Sequence, residues 1–294
     1  MERLIQSFIS GLLMGGVYST IAVGLSLAFG VMRIINWAHG ELLMSSMYVS
    51  TLIIMITGWN PYLVSFIVGL IFSLVGYVIQ GTLLNPILKR EKEREPMSVL
   101  LFTAGLGMVL TNVALLVFSA NPMMVQTSLL GKTFKMGEII ISTPRSISFF
   151  ISLFATFLLY QFLQKTEIGR AIRATSQNRQ IATLMGINQN KIYKIAFAIG
   201  IGLLGLSGGL LVPFFSVYPF VGQTFSTKSF IIVVLGGKGS VVGALLGGLI
   251  VGIVESVAGQ LIGDTYAQAI VFLLFVIVLL FRPAGLMGKK SDII

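Results

Sequence analysis

The chain has 294 residues, of which 55% are hydrophobic and only 10% charged, with mean hydropathy +0.95 and a formal charge of +10. A water-facing domain carries about 25% charge, so this composition argues against a soluble globule. The lack of cysteine excludes disulfides and thiolate metal sites, and a single histidine argues against a zinc cluster; the basic excess reads as that of cytoplasmic loops in membrane proteins, not as a nucleic-acid surface.

In chain order, apolar segments run over 4–32, 34–57, 62–84, 97–119, 146–164, 195–215, 229–258 and 266–281. Most are close to the length that crosses about 30 Å of hydrocarbon as a helix. Runs this continuous read as helices, since a barrel would show short alternating segments. The expected fold is all-α: a single transmembrane domain over 1–294, a polytopic helical bundle of eight hydrophobic segments with broken or re-entrant helices. The first segment is too long, and lacks the basic lead-in, for a cleavable signal peptide.

Within the second segment lies IINWAHGELLM, residues 34–44, which holds the only histidine. An ionisable group in hydrocarbon costs about 2.5–3.5 kcal/mol on insertion scales. Glu41 is therefore expected to face a wet cavity or a partner, with His39 and Arg33 as candidates. Asn36 is expected to cap a helix starting at Trp37, whose free amides would then form a carboxylate site inside the membrane. Asn36, His39, Gly40 and Glu41 are thus candidate solute-pathway residues near a helix break. A polar knot holding two helices in register, or an interfacial position, remain the alternatives.

The turn GWNP (58–61) separates the second and third segments, and the polar stretch 85–96 follows the third. Residues 120–145 read as an external loop with Pro122 and Pro144 near its ends. The most basic region is 165–194, with Lys165, Arg170, Arg173, Arg179, Lys191 and Lys194 against Glu167 alone. The positive-inside rule places it in the cytoplasm. Counting back from there puts 85–96 inside and the N-terminus outside. In this loop Ser176 or Asn178 is expected to cap a short helix over 179–185, with Gly186 ending it in a left-handed conformation and Asn188 capping the next helix.

Counting forward, 216–228 is expected outside, while the basic tail at Arg282, Lys289 and Lys290 belongs inside. Parity then requires that 223–258 is not one helix. A break at Gly236, Gly237 and Gly239, giving a short leg and then a full helix, restores it. Gly239, Gly243 and Gly247 recur every four residues, a packing stripe that lets backbones approach. Lys238 lacks the frame of a phosphate loop, and Glu255 is a weaker functional candidate.

GLSLAFGVMRIINWAHGELLM, VLGGKGSVVGALLGGLIVGIVES and LLFRPAGLMG, with the basic stretch between them, closely resemble permease subunits of branched-chain amino acid ABC importers. With no long N-terminal extension, the likeness is to the shorter of the two permeases in such systems. The resemblance implies a multi-pass bacterial or archaeal plasma-membrane subunit with no catalytic residues, cofactor, metal or ATPase motif of its own. It implies two ATP-binding subunits, a second permease and an external solute-binding protein as partners. The segment 179–191, centred on Leu184, Met185, Gly186 and Ile187, best matches the helix such permeases present to their ATPases, with Arg173 and Arg179 flanking it, although it departs from the glutamate–alanine–alanine pattern of other importer classes. Urea and short-chain amide permeases look similar. A self-contained secondary carrier is the competing class; it would have no reason to shape capped helices in the basic loop.

Overall fold

The computed structural model describes residues 2–90, 97–125, 132–136 and 139–288. Helix α1 (Glu2–Met32) is followed by a non-helical stretch and α2 (His39–Thr57). Asn60 accepts the Tyr62 amide at 3.0 Å and, with Pro61, starts α3 (Pro61–Ile79). That helix runs through a π-helical turn (Gln80–Leu84) into α4 (Asn85–Arg90). Helix α5 (Met97–Phe118) comes next, then an antiparallel hairpin of β1 (Thr133–Met136) and β2 (Ile139–Ser142). Helices α6 (Thr143–Lys165), α7 (Glu167–Gln177), α8 (Arg179–Leu184) and α9 (Gln189–Leu211) follow. The chain ends on α10 (Val221–Gly236), α11 (Val241–Ile262) and α12 (Asp264–Phe281). Eight helical stretches among the described residues are long and apolar enough to cross a membrane.

Helix α10 is the expected short leg. Its 16 residues rise only about 24 Å at 1.5 Å each, and α11 after the break is a full-length helix. Three expectations need correction. Residues 221–228, read as external loop, form the first half of α10, because the apolar run that defined the segment starts only after Lys228. The second segment is not helical over its first five residues, and α2 begins at His39. The stretch 120–145 is not a plain loop: it carries the hairpin, and α6 starts at Thr143 with Pro144 in its first turn. Positions 91–96 and 126–131 lie outside the described residues.

The centre is a crossing of α1 and α9, where a Cβ on Gly24 or Gly200 would strike the other's carbonyl. α11 lies along α1, with Gly11 against Gly252 and Gly15 against Gly248, and α3 lies along α9 in the same manner. The side chain of Gln6 bonds the backbone of Ile140, and Ser148 donates to the Leu210 carbonyl at 2.9 Å. The start of α1 and the end of α9 therefore share the hairpin end of the bundle. At the opposite end Gly30 meets Gly239, and Lys194 lies against Gly81. The series α1–α2–α3–α5 and the series α9–α10–α11–α12 thus run in opposite senses, each with a buried central helix followed by a late-starting one. Hydroxyls tie the helices sideways: Ser19 donates to the Leu245 carbonyl at 2.8 Å and Thr20 to that of Ser152 at 3.1 Å.

Candidate functional site

The chain leaves α1 at Arg33, an exposed residue with φ +49°. It then turns back into the bundle. The amide of Trp37 donates to Thr103 Oγ1 at 3.0 Å, and the Trp37 ring lies 5.7 Å from that of Phe230. His39, buried, places Nε2 3.1 Å from the Ile21 carbonyl, so that nitrogen carries the proton and donates. Ile21 is eleven residues before Met32, so α2 starts about 16 Å inside the end of α1 at 1.5 Å per residue.

There it meets the start of α10. The Gly40 amide donates to Ser226 Oγ at 2.9 Å. A Cβ on Gly40 would strike the Gly222 carbonyl, and one on Gly222 would strike that of Gly40. Two helix N-termini, with the positive ends of their dipoles, are thus brought together inside the bundle, the His39 and Val221 amides being held by the Asn36 and Tyr218 carbonyls. Neither α2 nor α10 carries a side-chain cap.

Asn36 does not cap, contrary to expectation. Its carbonyl accepts the His39 amide at 3.3 Å, while its side chain is buried with Nδ2 unpartnered. The helix starts two residues later than expected, so the side chain is out of reach of its free amides. Glu41 is 8% exposed, and its carboxyl lies beside Gly107 of α5. Oε2 has no hydrogen-bond partner, and no cation pairs with Glu41 among the described residues. The expected partners are engaged elsewhere: His39 on Ile21, Arg33 toward solvent.

A second, largely enclosed charged group includes Glu255, the weaker candidate of the sequence, and a partner the sequence did not reveal. Lys228 of α10 reaches Glu255 Oε1 of α11 at 2.6 Å and donates to the Tyr18 hydroxyl of α1 at 3.0 Å. Placing Lys228 in a loop hid the pairing. The signal that could have found it is a glutamate inside an apolar run, which calls for a cation, and a lysine at the edge of the preceding one.

At the basic end, Thr166 accepts the Gly169 amide and starts α7, which was not expected as a separate helix. Asn178, one of two expected caps, accepts the Ile181 amide at 3.0 Å to start α8. Gly186 has φ +84°. Its amide bonds the Thr183 carbonyl while that of Ile187 bonds the Ala182 carbonyl, which is the Schellman stop. Asn188 accepts the Lys191 amide at 3.2 Å and starts α9. Between these fixed ends α8 projects Leu184, 86% exposed, and Met185, 78% exposed. Beside it a groove of about 600 Å³ is lined by Lys89, Arg179, Thr183, Gly186, Ile187 and Tyr193, among others. Burial lowers the pKa of Arg179, with Arg33 adding to the shift and Tyr193 opposing it. Arg173 turns inward, its guanidinium donating to Gln164 Oε1 at 2.6 Å, and pins α7 to α6.

The break after α10 holds the expected glycines together. Gly237 and Gly239 have φ +101° and +81°, Gly239 lies on Gly30, and Gly236 lies on Gly243. Gly247 packs on the Ile232 carbonyl, and Ser240 caps α11 through the Gly243 amide. The role of the tail was not foreseen: the Leu286 and Met287 amides donate to the Leu235 and Gly236 carbonyls at 2.8 and 3.0 Å, closing the end of α10. No group of three or more metal-ligating side chains exists among the described residues.

A family model described as branched-chain amino acid transport system / permease component matches residues 7–279. The chain is 30% identical to the high-affinity branched-chain amino acid transport system permease protein BraD of Pseudomonas aeruginosa, over 98% of this chain and 96% of that one. Identity to the corresponding protein LivH of Escherichia coli K12 is also 30%, with the same coverage. A probable branched-chain amino acid transport permease protein LivH of Methanocaldococcus jannaschii is 28% identical over 91% of this chain and 87% of its own. No solved structure matches.

Proposed function

Because the chain belongs to the branched-chain amino acid transport permease family, we propose that it lines the path of an ATP-driven importer of branched-chain amino acids and couples that path to separate ATPase subunits. It is a multi-pass cell-membrane protein, and its relatives are permease subunits. The proposed assembly has two ATP-binding subunits, a second permease and an external solute-binding protein. The basic end is cytoplasmic, where Arg33, Arg90, Arg170, Arg179, Lys191 and Lys238 gather. The hairpin end, with the turn at 216–220, is external and receives the binding protein.

The observation that carries the coupling reading is α8. A free helix of six residues is not stable in water, yet this one is closed at both ends by specific hydrogen bonds and presents apolar side chains to solvent. Such a turn is shaped for a partner's groove, and a self-contained carrier has no use for it. Leu184, Met185 and Gly186 form its tip, with Arg179 and Ile187 at its base; Arg173 acts by holding α7 in place. ATP binding shifts the permease only if the ATPases contact this end differently in the two states.

The solute path passes the junction of α2 and α10. The converging positive dipole ends of α2 and α10 suit the carboxylate of a zwitterion. The partnerless Oε2 of Glu41, on the α5 side of the same junction, suits its ammonium group, with the buried Asn36 and His39 in the segment that leads into it.

The test is reconstitution in vesicles with and without the ATPases and the binding protein. Uptake of leucine, isoleucine and valine should require ATP and all partners. Solute movement by the chain alone would overturn the importer reading. Binding of urea or acetamide, and not leucine, by the cognate binding protein would overturn the solute.

A further inference from the structure

We propose that Lys228 and Glu255 are positioning residues: a charge pair, enclosed by protein, that sets the register of α10 and thereby holds the Gly40–Gly222 junction in place. The inference rests on the reading that this junction lines the solute path.

Helix α10 is held at its far end by the turn and tail around Gly236. Its start has no side-chain cap at Phe220, and the backbone bridge between Met123 and Val217 holds the chain four residues before the helix but not the helix itself. Along its length it meets α11 through Gly243 and Gly247. Glycine surfaces permit close approach but have no projections to stop a helix sliding or turning. A paired charge does, because displacement by one helical turn, about 5.4 Å, would separate it.

The pair is built for that task. Nζ of Lys228 is 2.6 Å from Glu255 Oε1, with the two side chains only 13% and 21% exposed. Nζ also lies 3.0 Å from the Tyr18 hydroxyl and 4.8 Å above the Tyr18 ring. Tyr18 meets Phe225 edge-on at 5.9 Å, and Phe225 meets Phe215, just before α10, at 5.3 Å. Ser226, which takes the Gly40 amide, is two residues from Lys228, so the two lie on nearly opposite sides of the helix. The first turns of α10 are therefore held from both sides, by α2 on one and by α1 and α11 on the other.

Apolar side chains of similar volume would pack α10 as stably as a buried ion pair. What a pair adds is discrimination: any register that separates it leaves a lone charge in a low-dielectric interior.

The native chain has no cysteine, so W37C with F230C, cross-linked by a short bifunctional thiol reagent, reports the register of α10. Uptake is measured in vesicles with all partners present. K228M and E255Q should each cut cross-linking and uptake at least about tenfold, a 1.4 kcal/mol effect. The exchanged pair K228E/E255K should recover both to within about threefold of the parent. K228M/E255M removes the lone charge and should reach the membrane, yet lose cross-linking and uptake. Unchanged cross-linking in that double variant overturns the proposal. So does its absence from the membrane, which would make the pair a folding element only. Lost cross-linking with unchanged uptake keeps the register role and overturns the path reading of the junction.

Discussion

Truncating the tip of α8 with L184A and M185A should detach the permease from its ATPases without unfolding it. Each substitution removes three heavy atoms, worth about 2.4 kcal/mol at roughly 0.8 kcal/mol per methylene. Leu184 is 86% and Met185 78% exposed, so most of that surface is free to be covered by a partner. Scaling by exposure gives about 2.1 and 1.9 kcal/mol for complete burial, or about 4 kcal/mol together. At 1.4 kcal/mol per decade this approaches a thousandfold loss of docking affinity. Because neither side chain supports the fold, membrane levels and melting temperature should match the parent, within about 0.5 kcal/mol. The assay is titration of purified ATPase onto detergent-solubilised permease, followed by ATP-driven uptake in vesicles. An unchanged titration midpoint in the double variant would refute the docking argument. A collapse in membrane level would refute the claim that the tip is structurally idle.

Further outcomes follow from other parts of the molecule. G186V, at φ +84°, should strain the α8 stop by about 1–2 kcal/mol and leave ATP hydrolysis running with little uptake; normal solute-driven uptake would count against the coupling role. E41Q should lower uptake at least about tenfold while assembly proceeds, and normal transport would remove Glu41 from the path. G40A should lower the melting temperature in detergent, since a new Cβ meets the Gly222 carbonyl and an overpacked contact costs about 1–3 kcal/mol. G105A, where a Cβ meets open space, should not; equal effects at the two positions would contradict the packing described.

The crossing helices were legible because hydrophobic length is a local property, and the break at Gly236–Ser240 because glycine clusters and parity both demanded it. The caps at Asn178 and Asn188 were legible for the same reason: each bonds an amide three residues on. What stayed hidden was set by distant residues. His39 starts α2 where Ile21 and Gly222 meet it, and no local signal separates that position from Trp37. Lys228 sits within α10 because Glu255 and Tyr18 receive it, whereas hydropathy alone began the segment one residue after it. Arg173 looked like one of several loop cations until Gln164 was found beside it.

The tail's hold on α10 constrains the order in which the molecule can be made. The carbonyls of Leu235 and Gly236 are closed by amides that leave the ribosome some fifty residues later. Until α11 and α12 have been threaded through the bilayer, the half-length helix lacks its terminal fastening. Completion of the interior is thus deferred until the two following helices are in place. Chains halted before Leu286 should expose a loosely seated α10 to membrane quality control, even with every long span already inserted.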